Sequence, residues 1–402
     1  MKILILNHNQ ENYGTYHRCF FLAKFMAQQG IHIHMICASG RNFDFLIRHR
    51  FINNHFSLTT LPRFKYGRFF TGQLWRMFLS VFQVLFYKYD ILHAFTVAQP
   101  QIGIPAWFAK KVRGKKLVVD WDDLWGGGFA DEHPFPVRNV LTWFEANIPR
   151  YADKITYVSE FISTRLQQLE YPINKCVKIP NANGMDININ AFIKNNNFLS
   201  GRKKLGLTEQ ASLIVSVGNT YVYETQELMC RTIDWLHKKS SDIKLVLVGR
   251  VQIDPTLRKK YRSLFREKTI ILAGIMDFNK IADFCKPADL LLLPMSNTNL
   301  EKARFPMRLG DYLRANRVIV SNAVGEVLYI LKKYKSGVCA DPVDPVDLGR
   351  KILQTFNSPE KSDRYKLGAT KAWREEFNWP YITSKLITVY NTLLGNDNGS
   401  KK

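Results

Sequence analysis

The chain has 402 residues, more than one hydrophobic core usually organises, so we expect two domains. Apolar residues make up 46% of the sequence and aromatic residues 13%, which is ample for packed cores, so we do not expect a disordered chain. The formal net charge of +23 is spread over both halves. It favours anionic partners such as phosphorylated ligands, nucleic acid or an anionic membrane surface, without choosing among them.

The six cysteines form no CxxC pair and no metal-like spacing with histidine, so we expect reduced thiols and no metal site. No segment has the roughly 18 consecutive apolar residues that a membrane-spanning helix needs. The amino-terminal run MKILILNHN is too short for a signal peptide. We therefore expect a cytoplasmic protein, either soluble or attached peripherally to the inner face of a membrane.

Short apolar runs alternate with helical patterns along the first half, as in parallel α/β sheets. The predicted strands lie at residues 2–6, 31–38, 90–95, 115–121 and 154–159, with a helix at 16–29. The polar, Asn-rich stretch 181–204 interrupts this pattern and is interpreted as an interdomain linker. The first domain is therefore predicted to span residues 1–190.

The same alternation resumes after the linker, which predicts a second domain at residues 205–378. Its predicted strands lie at 212–219, 243–249, 269–276, 288–295 and 317–322, and its predicted helices at 225–239 and 344–356. A last helix, within 380–402, is expected to pack back on the first domain. The predicted fold class is α/β, with two Rossmann-like domains facing across a cleft and ligands at the carboxyl ends of the strands.

Two loops of the first half carry candidate ligand contacts. Gly14 lies between a strand and a helix, where backbone can approach a phosphate, but the loop lacks G-x-G-x-x-G and an ordinary loop glycine is equally consistent. The run VVDWDDLWGGG places Asp120, Asp122 and Asp123 at a strand end, followed by Trp125. Crowded carboxylates repel unless they bind hydroxyls, a cation or a base. We predict a site for sugar hydroxyls; helix capping is the alternative.

Glycines also end two strands of the second half, in the runs SVGNT and LVGR. We predict that Gly218, Asn219, Thr220 and Arg250 face a ligand at the carboxyl edge of that sheet. The guanidinium of Arg250 can donate two hydrogen bonds to a diphosphate. Turn glycines and a surface arginine are the alternative for each motif taken alone.

The run RFPMRLGDYL combines cations with an acid before a buried strand. Pro306 suits a helix start, so a helix is predicted at 307–315. Arg304 and Arg308 near that start are disfavoured by the helix dipole unless an anion binds. Asp311 can accept hydrogen bonds from two vicinal hydroxyls. The run therefore predicts a phosphate and a ribose; a surface Arg308–Asp311 ion pair, which would contribute little, is the alternative.

These motifs occur in an order that resembles the GT-B glycosyltransferases of family 4. The resemblance covers about residues 1–380. It is carried by the Gly14 loop, ADKITYVSEFI, VKIPNANGMD, VSVGN, LVLVGR, IILAGIM, SGVCADPVDP and, most specifically, RFPMRLGDYLRANRVIVSNAVGE. It implies a retaining, metal-independent enzyme without a cofactor, in which the carboxyl-terminal domain binds a nucleoside-diphosphate sugar and the amino-terminal domain binds the acceptor.

The resemblance also implies roles for individual residues. Asp311 matches the second acid of the family's E-x7-E pattern, which binds ribose. Arg308 matches the basic residue of the related P-x-K-L-x-E-Y form, and Leu309 matches the leucine that follows it. The backbone of Ile275 and Met276 matches the backbone segment that recognises the nucleotide base. Gly14 matches the loop over the donor phosphates.

The chain departs from the family pattern at three places. The arginine and lysine that usually follow the VGN-type strand are absent, and the run TYVYETQEL has acids instead. Ala303 occupies the position of the first acid, and Glu301 lies two residues away. Asp122 and Asp123 occupy the region of the acceptor-side histidine. We therefore assign Arg250 and Arg308 to the diphosphate charge and list both aspartates with them as catalytic candidates; Arg304 and Pro306 are assigned to donor binding.

The stretch between Asp44 and Asp90 contains seven basic residues, thirteen aromatic residues and no acid. Interleaved aromatic and basic residues are typical of segments that bind an anionic membrane surface. A core helix with a basic solvent edge is the alternative.

Together these features predict a glycosyltransferase that uses a nucleotide-sugar donor and a lipid-linked or cell-envelope glycan acceptor, as in polysaccharide biosynthesis. The alternative is a non-catalytic sugar-nucleotide or glycan-binding module of the same fold. Nucleic-acid binding rests on charge alone and is the weakest interpretation.

Overall fold

The computed structural model describes residues 1–64, 72–183, 202, 207–208, 211–218, 222–275, 284–285 and 287–395. It divides into two compact units. The first comprises the described residues of Met1–Asn181, Ala303–Phe305 and Trp379–Lys402, and the second those of Ala182–Lys302 and Pro306–Asn378. Most of the predicted linker at 181–204 lies outside the described residues.

The first unit is built on a sheet with the strand order β10-β9-β8-β7-β1-β2-β5-β4. Neighbouring strands run parallel, except that β4 pairs antiparallel with β5 at the edge. The strands are β1 Lys2–Gln10, β2 His32–Ala38, β3 Phe43–Asp44, β4 Arg48–Asn53, β5 Phe56–Leu61, β6 Arg63–Phe64, β7 Ile91–Phe95, β8 Lys116–Trp121, β9 Lys154–Tyr157 and β10 Cys176–Lys178. The short strands β3 and β6 form a separate antiparallel pair.

Helices connect these parallel strands. They are α1 Tyr16–Gln28, α2 Gln73–Phe86, α3 Pro100–Lys111, α4 Phe135–Asn147 and α5 Glu160–Gln168. Strand β7 is buried along its whole length, and β1 is buried from Ile3 to Leu6, without alternation of exposed residues. Strands of a parallel sheet that is covered on both faces have this continuous apolar pattern, which is why the short apolar runs of the sequence predicted them.

The second unit contains a parallel sheet with the order β13-β12-β11-β14-β15-β16. Its strands are β11 Ser212–Val217, β12 Ile243–Val248, β13 Ile270–Gly274, β14 Leu290–Leu293, β15 Val318–Ser321 and β16 Gly337–Cys339. Its described helices are α6 Tyr223–His237, α7 Pro255–Lys260, α8 Arg262–Arg266, α9 Asn299–Ala303, α10 Met307–Arg314, α11 Gly325–Lys333, α12 Pro345–Phe356 and α13 Pro359–Glu375. Residue Ala303, which ends α9, belongs to the first unit.

The last described helix, α14 (Trp379–Leu394), belongs to the first unit and packs on α1. The indole of Trp379 stacks on the ring of Phe21, with centroids 5.6 Å apart. The hydroxyl of Tyr390 lies 2.6 Å from Nδ1 of His93 on β7. Within the described parts of the chain, no helix is long and apolar enough to cross a bilayer.

Candidate functional site

The aspartates that end β8 have different surroundings. Asp120 is buried and forms a two-point ion pair with the equally buried Arg18 of α1, with Nε–Oδ1 at 2.9 Å and Nη2–Oδ2 at 2.8 Å. Arg18 also donates to the carbonyl oxygens of Ile179 and Pro180 and to Oδ1 of Asn181. A buried pair whose hydrogen-bonding groups are satisfied in this way fixes structure, so Asp120 anchors the site without facing a ligand.

Asp122 is held by two hydroxyls. Thr15, the residue before α1, donates to Oδ2 at 2.7 Å, and Thr96, which follows β7, donates to Oδ1 at 3.2 Å. Burial, followed by the nearby charges of Asp123 and Asp120, raises the pKa of Asp122 to about 7. This carboxyl group can therefore take up or release a proton near neutral pH.

Asp123 is half-buried and pairs with Arg304, whose Nε lies 3.3 Å from Oδ1. The guanidinium of Arg304 also lies 5.0 Å from the centroid of the Phe129 ring. The three residues 303–305 belong to the first unit, whereas Arg308 and Asp311 belong to the second. The structure therefore pairs Arg304 with an acid of the first unit, although the sequence pattern had grouped it with Arg308 and Asp311.

Glu145 of α4 holds the loop that follows β8. Its buried carboxylate accepts from the indole Nε1 of Trp121 at 3.1 Å, the backbone N of Trp125 at 2.7 Å and the backbone N of Gly126 at 2.8 Å. Burial raises the pKa of Glu145 to about 7, although the three N–H donors oppose this shift. Glu145 is therefore a positioning residue for Asp122, Asp123 and Trp125.

A small cavity of about 10 Å³, enough for about one water molecule, lies at this end of β8. Its wall includes Thr96, Asp122, Asp123, Trp125 and Glu145. The indole Nε1 of Trp125 is buried and donates to no partner, although the residue is 9% exposed. The wall thus offers carboxylate acceptors and an unused N–H donor, a combination that suits a hydroxyl group.

Arg308 dominates the corresponding edge of the sheet in the second unit. It is the second residue of α10, is half-buried, and donates from Nη1 to the carbonyl of Val217 at 3.3 Å and from Nη2 to that of Pro294 at 3.1 Å. Among the described residues, no carboxylate lies within ion-pair distance of its guanidinium. The side chain therefore joins the ends of β11 and β14 while its positive charge stays uncompensated there, and the Arg308–Asp311 ion pair is not formed.

Two glycines make this edge accessible. Gly218 and Gly249 follow β11 and β12 with φ of 118° and 131°, values that favour glycine. A Cβ on Gly249 would lie 2.5 Å from the carbonyl oxygen of Gly218, and a Cβ on Gly218 would lie 3.3 Å from Nη1 of Arg308. Side chains at either position would therefore displace the backbone or the guanidinium.

The remaining predicted donor residues are placed individually. Asp311 lies one turn after Arg308, is 4% exposed and engages other groups of the chain, while Leu309 packs in the core. Arg250 is exposed directly after Gly249, and Ile275 is exposed directly after β13. Asn219, Thr220 and Met276 lie outside the described residues.

Three further predicted positions have local explanations. Gly14 has a φ of 57° and leads directly into Thr15, the residue that binds Asp122. Ala303 is fully buried and its carbonyl accepts from the Ser159 hydroxyl at 2.6 Å, which makes it a packing position. Pro306 precedes α10 in an extended conformation, as expected for a residue before a helix. In the described parts of the chain, no group of three or more metal-ligating side chains is assembled.

The sequence reasoning missed four residues of the site in the first unit: Thr15, Arg18, Thr96 and Glu145. Arg18 and Glu145 each interrupt an apolar stretch, YHRCFFLA and VLTWFEANI, and a lone charge in such a stretch indicates a buried partner. The two threonines give no such signal. They lie far from Asp122 in the sequence and come close to it only when the chain folds.

Comparisons with known proteins agree with this architecture. Residues 17–183 match the family described as Glycosyltransferase Family 4, and residues 199–372 match the family described as Glycosyl transferases group 1. A D-inositol 3-phosphate glycosyltransferase of Thermomonospora curvata is 23% identical over 322 residues, which cover 75% of this chain and 71% of that protein.

Solved structures show the same fold. Sucrose-phosphate synthase of Thermosynechococcus elongatus superposes with a TM-score of 0.74 at 15% identity, covering 98% of this chain and 99% of that one. Anabaena HepE, solved in complex with UDP-glucose, superposes with a TM-score of 0.71 at 14% identity, covering 98% and 100%. The two parallel α/β units thus define the chain as a GT-B protein. It belongs to the group 1 glycosyltransferases of family 4.

Proposed function

We propose that this glycosyltransferase moves a sugar from a nucleoside-diphosphate donor to a hydroxyl of a lipid-linked or cell-envelope glycan, with retention of the anomeric configuration and without a metal. The observation that carries the proposal is Arg308, a half-buried cation without a carboxylate partner among the described residues. It lies at the start of α10, where the helix dipole disfavours a cation unless an anion binds.

A diphosphate meets the requirements of this edge. The guanidinium of Arg308 can donate to phosphate oxygens, and Gly218 and Gly249 leave room for them. Arg250 supplies a second cation directly after Gly249. The UDP-glucose in Anabaena HepE supports a donor of this class. We assign the ribose hydroxyls to Asp311 and the base to the backbone around Ile275.

The acceptor is assigned to the site on the first unit. A carboxyl group with a pKa near 7 can accept a hydrogen bond from a hydroxyl and can exchange its proton at neutral pH. The unused indole N–H of Trp125 lines the same small cavity as Asp122. These groups suit a hydroxyl-bearing acceptor better than an apolar one.

The proposed reaction needs no side-chain nucleophile. The bond between the sugar C1 and the diphosphate oxygen breaks, and a bond from C1 to the acceptor oxygen forms on the same face. The acceptor proton passes to the departing phosphate, while Arg308 and Arg250 stabilise its negative charge. Asp122 and Asp123 orient the acceptor hydroxyl.

A non-catalytic sugar-nucleotide or glycan-binding module is the second candidate. It is favoured by Ala303, because this buried position has no carboxylate where the family pattern has its first acid. Such a module would bind a nucleotide sugar without releasing its diphosphate.

The two candidates differ in turnover. The protein is incubated with a panel of nucleoside-diphosphate sugars and membrane extract, in buffer containing a chelator, and released nucleoside diphosphate is measured. We expect release with one donor class and an unchanged anomeric configuration in the NMR spectrum of the product. Calorimetric binding of a donor without any release would support the binding module, and release that the chelator abolishes would contradict metal independence.

A further inference from the structure

Helix α2 presents a row of large apolar side chains to solvent. We name this row the α2 ridge; it consists of Leu74, Trp75, Phe78, Phe82 and Phe86. Each of these side chains is between 52% and 69% exposed. Four of the five are spaced four residues apart, which places them on one face of the helix over about three turns.

The opposite face of α2 has the wrong polarity for a core helix. Its buried residues are Arg76, Ser80 and Val84. Arg76 donates to the carbonyl of Pro62 at 3.2 Å, and burial lowers its pKa to about 10. The helix therefore turns a cation and a hydroxyl inward and its aromatic rings outward. This contradicts a core helix with a basic solvent edge and means that the apolar residues serve contacts outside the unit.

Positive charge accompanies the carboxyl-terminal end of the ridge. Arg113 donates to the last carbonyls of α2, those of Val84 and Leu85. Arg113 and Lys115 lie 5.9 Å and 5.4 Å from the ring centroid of Tyr89, and Lys88 beside them is exposed. The stretch between Asp44 and Asp90, which contains α2, has seven basic residues and no acid.

We propose that the α2 ridge docks this protein on an anionic lipid surface, with its rings in the interfacial region and the flanking cations at the headgroups. Helices that lie in a membrane interface combine bulky apolar residues on one face with adjacent basic residues. A second copy of the chain fits less well, because each copy has a formal net charge of +23 and two copies repel each other. The inference deepens the proposed function, since a lipid-linked acceptor is met at such a surface.

Vesicle binding tests the docking without any donor or acceptor, so its result is independent of whether sugar transfer occurs. The full-length protein is sedimented with vesicles of phosphatidylcholine alone or mixed with phosphatidylglycerol. We expect binding to the anionic vesicles that exceeds binding to the neutral ones and falls as salt is added. The double variant Phe78→Glu/Phe82→Glu should reduce the partition coefficient by about tenfold or more.

The matched control is Val343→Glu/Leu367→Glu, which adds the same two negative charges on residues that are 67% and 71% exposed in the second unit. It should leave vesicle binding unchanged. Equal binding by the double variant, or equal binding to both vesicle types, would overturn the proposal. The proposal would also be overturned if the wild type binds no vesicles and instead forms a dimer in equilibrium sedimentation that the double variant does not form.

A measurement on the unmodified ridge guards against misfolding of the double variant. Brominated lipids quench tryptophans that enter the interface, so anionic vesicles containing them should quench wild-type emission more than that of Trp75→Phe. Equal quenching of the two proteins would place the contact elsewhere on the chain.

Discussion

In the first unit, strand β8 ends in three aspartates, whereas in the second unit β11 and β12 end in glycines beside Arg308. The two sheets share parallel strands and buried apolar runs, but their carboxyl edges carry opposite charge. Acids that crowd together must be neutralised, protonated or bound to hydroxyls, and a cation without a carboxylate favours an anion. This difference is the basis for the proposal that the second unit binds the donor diphosphate and the first unit binds the acceptor hydroxyl.

The two edges also differ in how their charge is stabilised. In the first unit, Arg18 neutralises Asp120 and two threonines hold Asp122, so most of the acidic charge is satisfied internally. In the second unit, carbonyl oxygens are the described partners of Arg308. Substitutions at the two edges should therefore affect different kinetic parameters, and this expectation can be tested residue by residue.

Replacing Arg308 should have the largest effect. Arg308→Ala removes the cation assigned to the diphosphate, and we expect kcat/KM for the donor to fall by about 1000-fold, or about 4 kcal/mol. Steady-state kinetics with varied donor measures this change. Arg350→Ala, which removes an exposed arginine paired with Asp347 in the same unit, is the control and should leave donor kinetics unchanged. Unaltered kinetics in Arg308→Ala would remove the donor phosphate from this edge.

Asp122→Asn should have the next largest effect, on the acceptor side. The amide keeps the shape and can still meet Thr15 and Thr96, but one carboxylate oxygen becomes an N–H donor, so the acceptor hydroxyl is oriented less well. We expect a loss of about 100-fold in kcat with the donor KM nearly unchanged. Kinetics with each substrate varied in turn separates the two parameters. A rise in donor KM alone would show that Asp122 belongs to the donor edge.

The raised pKa of Asp122 also predicts a pH dependence of stability. Because its pKa is about 7 in the folded chain and about 3.9 when unfolded, the folded state binds more protons between these values. This group therefore lowers the free energy of unfolding as pH rises from about 4 to about 7. Asp122→Asn should increase that free energy above pH 7 by an amount on the order of 2–4 kcal/mol. Denaturant unfolding at pH 5 and pH 8 measures it, and a gain of the same size at both pH values would contradict the assignment.

Gly249→Ala probes the glycine edge of the second unit and should have the smallest of these effects. Its φ of 131° and the 2.5 Å approach of a new Cβ to Gly218 should lower the free energy of unfolding by about 2 kcal/mol. Gly274→Ala is the matched control, because its φ is also positive, at 78°, but nothing lies within 4 Å of a new Cβ. Chemical denaturation compares the two variants; equal losses would mean that only backbone strain, and no close approach, requires glycine at 249.

The sequence predicted the parallel strands well because strands buried on both faces are continuous apolar runs. β7 and β8 were expected at 90–95 and 115–121 and lie at Ile91–Phe95 and Lys116–Trp121. Two adjacent strands were not predicted. The residues of β4, RHRFIN, are mostly exposed, and the fully buried parallel strand β5, FSLTTL, is half hydroxyl residues. Local pattern thus reports apolar composition, and a strand that is exposed or rich in hydroxyl groups is missed.

The candidate site was only partly predictable for a different reason. Arg304 and Arg308 are neighbours in the sequence, yet Arg304 pairs with Asp123 of the first unit and Arg308 contacts strand ends of the second. Likewise, nothing near Asp122 in the sequence indicates Thr15 or Thr96. Such contacts depend on which strands become neighbours, and spacing along the chain does not encode this directly.

Helix α14 has a consequence for the order in which the chain folds during synthesis. Trp379 and Tyr390 are almost fully buried in the first unit, against Phe21 and His93, which the ribosome makes early. They are made only after residues 182–378 have been synthesised. Nascent domains fold as units once their residues are available. The second unit can therefore fold first. The face of α1 that packs against α14 stays uncovered until α14 has been synthesised.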